Sequence, residues 1–202
     1  MMIELVHPEP TSVYAVIALF GSLFVWAAVL LVAKGRRGTA EVEAASTRDS
    51  GSMLGVAIQA LGFLVVGFGP LKLVLGSPDA LAIGEVIAVL VLIAGVIALF
   101  MASSRAMGRN WAIVARTLDD HQLVTWGPFA VIRNPIYVAL FIWILVMALA
   151  LGHWRGLILG VPLYWIGTWM RVTREERLLR AQFGAAYDAY AARVKRFIPG
   201  LI

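Results

Sequence analysis

Two short stretches of this chain hold most of the side chains that could do polar chemistry together. The first is HQLVTWGPFAVIRNPIY, from His121 to Tyr137. Its Leu123-Val124 pair reads as a short extended piece ended by Gly127-Pro128, since proline cannot continue a hydrogen-bond ladder and leaves backbone groups free for a ligand. Arg133-Asn134-Pro135 repeats the device: the residue before a proline is pushed out of the helical region, while proline itself is favoured at the first helical position. A helix therefore starts near Pro135, and its unpaired N–H groups and positive dipole end suit a carboxylate or phosphate. The same residues read equally well as a plain loop capped by Asn134.

The second stretch runs from Arg171 to Pro199, RVTREERLLRAQFGAAYDAYAARVKRFIP. Arg171 and Glu175 lie four apart on one helix face. In isolation such a pair is a solvated surface feature worth a few tenths of a kcal/mol. At a membrane exit facing the first stretch, Arg171 could hold an anionic group while Glu175 accepts from a ligand ammonium or hydroxyl. Leu178, Leu179, Phe183, Tyr187, Tyr190 and Val194 recur at helical intervals broken near Gly184, which predicts one helix leaving the membrane and a second, amphipathic one. Tyr187 and Tyr190 with Arg193, Lys195 and Arg196 read as an interfacial anchor on anionic lipid.

Other chemistries are excluded. The chain has no cysteine, so thiolate nucleophiles, disulfides and thiolate metal sites are absent. His7, His121 and His153 are too scattered for a metal site. No Walker motif, nucleophile elbow or dinucleotide loop occurs. The net charge of +5 comes from short basic clusters beside apolar runs, without the extended basic face that nucleic acid requires.

The elements that must position these stretches are written in the composition. Of 202 residues, 61% are hydrophobic and 14% charged, a balance that belongs in a bilayer. A crossing helix needs roughly 20 apolar residues, and Val13–Ala33, Met53–Leu75 and Leu81–Ala102 provide three. The run from Ile136 to Met170 supplies two more if it folds back at Gly152-His153-Trp154-Arg155. With five crossings and the N-terminus outside, all of the 17 Lys and Arg residues except Lys72 and Arg155 fall on the cytoplasmic side. The N-terminal MMIELVHPEPTS lacks the basic region and cleavage site of a signal peptide, so the first span is expected to be retained. Glu85 reads as an interfacial residue beside Asp79. Gly55, Gly62, Gly67 and Gly69 read as close-packing positions, with Pro70 kinking the helix end. The expectation is an all-α, multi-pass protein of the inner or plasma membrane, forming a single domain over 1–202. Residues 1–102 hold three spans and a cytoplasmic loop at 34–52; residues 103–202 hold the hairpin 136–170 and the C-terminal helices.

Leu-Val-Thr-x-Gly, Arg-x-Pro-x-Tyr, Glu-Glu, Phe-Gly-x-x-Tyr-x-x-Tyr and Phe-Ile-Pro, in this order across Arg109 to Pro199, resemble the C-terminal signature of the isoprenylcysteine carboxyl methyltransferase family. The resemblance implies a methyltransferase that binds S-adenosylmethionine between the last spans and the C-terminal helices and acts on a lipid-like or amphiphilic acceptor, with membrane lipids as surroundings. Carried over by position, Arg116, His121, Gln122, Leu123, Val124, Phe129, Asn134, Pro135, Tyr137 and Glu175 would contact the cofactor, and Arg171 and Arg133 would serve catalysis, Arg171 facing an acceptor carboxylate. Asn134 departs from the family pattern, which has His in Arg-His-Pro. Asparagine can keep a hydrogen bond but cannot titrate near neutral pH. Two other readings stand beside this one: an NADPH-dependent enzyme resembling membrane sterol reductases, and a non-catalytic membrane subunit that keeps the fold.

Overall fold

The computed structural model describes residues 8–35, 50–77, 79–108 and 122–201. Arg116 and His121 lie outside them. The order is a short strand β1 (Pro10–Ser12), helices α1 (Val13–Gly35) and α2 (Ser50–Gly67), strand β2 (Lys72–Val74), α3 (Ala80–Met107), α4 (Pro135–Leu151), α5 (Leu157–Phe183) and α6 (Ala185–Arg193). Among these, α3 is the helix that is long and apolar enough to cross a membrane by length and composition; shorter apolar stretches are Val13–Ala28, Met53–Gly67 and Pro135–Leu151.

Helix α4 is apolar on every side, and none of its residues is exposed. A helix of that kind belongs in the interior of a bundle. It packs most extensively on α3, while α5 packs along α2. Two apolar layers result: Leu19, Val89, Ile93 and Val146 join α1, α3 and α4, and Val66, Ile144, Ala148 and Tyr164 join α2, α4 and α5.

Glycine sets the α2–α5 separation. A Cβ at Gly62 would stand 2.8 Å from the Gly160 carbonyl oxygen, and one at Gly167 would stand 2.5 Å from that of Gly55. Only small residues allow backbones this close, the usual device of membrane helices. Pro162 within α5 removes one backbone donor.

The chain folds back after α4 at Gly152, which ends the helix at φ 69° and donates its N–H toward Ala148 and Leu149. A side chain there would meet both the positive φ and the Glu9 carbonyl, which packs directly against it. His153, in the same turn, is buried with Nδ1 2.8 Å from the Val66 carbonyl and Nε2 3.0 Å from that of Pro70. It ties the turn to the end of α2.

Three sequence expectations need correction. The second apolar run does not continue to Leu75: α2 stops at Gly67, before the Gly69-Pro70 pair, and Lys72–Val74 instead pairs in parallel with Pro10–Ser12. Pro70 thus lies beyond the helix rather than kinking it. Glu85 accepts from the Thr11 hydroxyl at 2.5 Å and the Ser12 N–H at 3.1 Å, fastening β1 to α3. Asp79 is the N-cap of α3, accepting from the Ala82 N–H. Tyr187 and Tyr190 are not lipid anchors, since they are 1% and 5% exposed and face the protein.

Candidate active site

Proline at the first position of α4 sets where that helix begins, and with it the direction of Tyr137 two residues on. Helix α5 passes Arg171 without a break and ends at Gly184, whose φ of 50° closes the helix with an N–H bond to the Arg180 carbonyl. Arg171, Glu175 and Glu176 therefore ride on a rigid rod beside the start of α4. The two polar stretches meet there.

Tyr137 donates its hydroxyl to Glu175 Oε1 at 2.6 Å. Arg171 Nη2 stands 3.6 Å from the same oxygen, and its guanidinium carbon lies 5.4 Å from the centre of the Tyr137 ring. Tyr164 supports the group by donating its hydroxyl to the Tyr137 carbonyl at 2.5 Å. Arg171 is 12% exposed and Glu175 25% exposed at the side chain, so the cluster is largely enclosed yet reachable. Burial raises the Glu175 carboxyl above its ordinary value, opposed by the Tyr137 hydrogen bond and the Arg171 charge.

Glu176 faces the other way. It takes Arg133 Nε at 3.0 Å and Nη2 at 2.9 Å on one oxygen, and Arg196 Nη2 at 2.7 Å on the other. Burial disfavours its charge, but the hydrogen bonds from Arg196 and Arg133 outweigh this and hold the carboxyl below the usual range. Arg133 also donates to the carbonyls of Ala191 and Val194, and Arg196 lies over the Trp169 ring at 4.6 Å. Main-chain bonds complete the clasp: the Arg133 N–H donates to the Lys195 carbonyl at 2.8 Å and the Asn134 N–H to the Arg196 carbonyl at 3.0 Å. Phe197 is thereby pressed into the layer of Tyr137 and Val172.

The structure brings Tyr137, Arg171 and Glu175 together, with Pro135 buried at the start of the same helix. Arg133 joins Glu176 in the clasp instead of the Arg171 group. Asn134 makes no side-chain cap on α4; its amide donates to the Arg196 carbonyl at 3.4 Å. Phe129 offers its carbonyl to the Tyr190 hydroxyl at 2.7 Å. Gln122 is exposed, and Leu123 and Val124 are half-buried in non-helical chain leading to a 3-10 turn at Gly127–Ala130.

Gln59, Tyr164 and Thr168 escaped the sequence reading. Gln59 on α2 donates to Thr168 Oγ1 at 2.8 Å and accepts from Arg171 Nη1 at 3.4 Å. The signal was available: a lone amide in an apolar run is costly unless it has partners.

A profile of the family described as phospholipid methyltransferase matches residues 84–186. The chain is 36% identical over 87 residues to a protein-S-isoprenylcysteine O-methyltransferase of Schizosaccharomyces pombe, covering 43% of this chain and 37% of that protein. With the protein of the same description from Tribolium castaneum it shares 34% over 96 residues, 45% of this chain and 32% of the relative. With a probable protein-S-isoprenylcysteine O-methyltransferase of Oryza sativa subsp. indica it shares 30% over 94 residues, 46% and 49% of the two lengths. The chain thus spans about a third to a half of the length of these relatives.

Proposed function

The chain belongs to the phospholipid methyltransferase family and has protein-S-isoprenylcysteine O-methyltransferases among its relatives, and from that premise we propose that it is an S-adenosylmethionine-dependent methyltransferase of a membrane-embedded or amphiphilic carboxylate. The observation that carries this reading is the side-by-side placement of Arg171 and Glu175, one turn apart and joined through Tyr137.

The donor set fits the cofactor. Glu175 is an accessible carboxylate in a low-dielectric setting, where its attraction for an ammonium is stronger than in water. In the proposal Glu175 and Tyr137 hold the cofactor with Gln122, Leu123, Val124, Phe129, Asn134 and Pro135, while Arg116 and His121 complete the set carried over from the family. When bound, S-adenosylmethionine supplies an electrophilic methyl group on sulfur. Arg171 pairs with the acceptor carboxylate and orients it, a gain of positioning rather than of acid–base chemistry. A carboxylate is ionised at neutral pH and needs no base. Asn134, which cannot titrate and already donates to the Arg196 carbonyl, is consistent with that economy. Arg133 acts through the clasp, keeping α4 and the C-terminal segment in register.

The five-span arrangement is part of the same proposal. Apolar residues such as Phe24 on α1, Leu64 on α2, Val91 on α3 and Ile166 on α5 are exposed, while α4 is enclosed by its neighbours. Lipid contact accounts for those exposures. With Lys and Arg concentrated on one side, the site faces the cytoplasm and the N-terminus lies outside. A site on that side is open to a soluble cofactor and an acceptor held in the bilayer.

Two measurements test the reading. Thermal melting in detergent should rise with S-adenosylmethionine and stay unchanged with NADPH, because a ligand that binds only the folded state stabilises it. Transfer of labelled methyl should then be measured to N-acetyl-S-farnesylcysteine, a long-chain fatty acid and phosphatidylethanolamine. Stabilisation by NADPH alone, or by neither ligand, overturns the assignment.

A further inference from the structure

Gln59 is 5% exposed on an apolar helix, outside the residues that the family profile matches. Its amide spans two residues of α5: Nε2 donates to Thr168 Oγ1 at 2.8 Å, and Oε1 accepts from Arg171 Nη1 at 3.4 Å. One turn earlier on the same face is Gly55, where a Cβ would stand 2.8 Å from Arg171 Cγ. Gly167 completes the approach, because a Cβ there would stand 2.7 Å from the Gln59 main-chain nitrogen. Helix α2 therefore offers a bare groove to the arginine stem and a neutral oxygen to its head.

The neutrality matters. Arg171 already faces one carboxylate, Glu175; a second at position 59 would offset its remaining attraction for an anion, whereas an amide oxygen takes one N–H and adds no negative charge. The long arginine side chain loses rotamer freedom when ordered, so a fixed groove supplied in advance improves its hold on a ligand. Thr168 in turn fixes which way the amide points. We propose that the Gly55–Gln59 face of α2 is the positioning element that aims Arg171 at the acceptor anion, with Gln59 as a positioning residue for methyl transfer. This rests on the reading that Arg171 faces the acceptor.

The test is a double-mutant cycle on the full chain in detergent, with the more active of the two carboxylate acceptors named above, N-acetyl-S-farnesylcysteine and the fatty acid. Gln59→Leu is expected to raise the acceptor KM about tenfold, the effect of losing one hydrogen bond to a charged group. Its S-adenosylmethionine Kd should stay within about twofold of wild type, since Glu175 is untouched. In an Arg171→Ala background the same change should add less than about twofold, because nothing is left to aim. If Gln59→Leu does not fold, Gln59→Met, of similar length and without the amide, replaces it in the cycle. Gly55→Ala should shift the acceptor KM in the same direction, while Gly84→Ala, with nothing within 4 Å of the added carbon, should not. A KM change of equal size in both Arg171 backgrounds, or none in a folded variant, overturns the positioning role alone. A wild-type chain that methylates neither carboxylate, including one that methylates phosphatidylethanolamine alone, overturns the functional reading and this inference with it.

Discussion

The Tyr137 hydroxyl and the Glu175 carboxylate meet at 2.6 Å, joining the first turn of one helix to the far part of the next. The bond makes Glu175 a directed acceptor rather than a mobile surface acid, and the turn at Gly152 is what allows its two ends to meet.

Removing the carboxylate is therefore expected to cost cofactor binding. Glu175→Ala should weaken S-adenosylmethionine by about 100-fold or more, as loss of a charged hydrogen-bonding partner does. Arg171→Ala should instead raise the acceptor KM with a small change in cofactor Kd. Calorimetry on the purified variants checks both, and equal cofactor affinity in wild type and Glu175→Ala refutes the assignment.

The raised Glu175 carboxyl gives this binding a pH dependence. Burial favours its protonated form, with Tyr137 and Arg171 opposing. Below the raised value the group is neutral and attracts an ammonium weakly, so affinity should climb as pH rises through that value and then level off. For stability the sign is reversed: what the protonated group contributes is present below the ordinary carboxylate pKa and is lost as pH rises through the raised one. Glu175→Gln should flatten the cofactor profile, which a titration of Kd against pH reads directly.

Glu176 behaves oppositely. Despite its burial, Arg196 and Arg133 hold its carboxyl below the usual range, so its contribution is present above the ordinary value and lost as pH falls through the lowered one. Glu176→Gln leaves Arg133, 11% exposed, without its counter-charge. A loss of about 3 kcal/mol is expected from breaking a buried pair on one side. Thermal melts in detergent should show it, and Glu176→Leu combined with Arg133→Met should recover part of the loss.

At the other end of the bundle, His153→Phe should strip the Val66 and Pro70 carbonyls of their imidazole partner and cost about 1–3 kcal/mol. Cofactor affinity should remain within about twofold of wild type. A variant that melts normally would show that the turn holds without the ring.

Much of this arrangement was legible in advance because local rules carry it. Gly-Pro and Asn-Pro mark where chain geometry changes, Gly152 and Gly184 mark helix ends, and Arg171 with Glu175 is visible at a spacing of four. Pairings between distant elements were not legible. Nothing local distinguishes Glu175 from Glu176, yet one turns toward Tyr137 and the other toward Arg133 and Arg196. Tyr187 and Tyr190 have the composition of a lipid anchor, and only the return of the C-terminal segment buries them. Gln59 is hidden by the apolar run around it, although a single amide there needs partners from another helix. The end of α2 is not legible from apolarity, which continues through Leu75 while the Gly69-Pro70 pair interrupts the backbone.

The glycine seam between α2 and α5 also bears on traffic. With backbone oxygens of one helix standing where side-chain carbons of the other would be, these two helices cannot part without losing the contact that holds Gln59 to Thr168 and Arg171. They would move as one strut. On the proposed reading, an amphiphilic acceptor would reach Arg171 from another side of the bundle, and a cross-link across the seam should slow turnover far less than one that ties α5 to a neighbour other than α2.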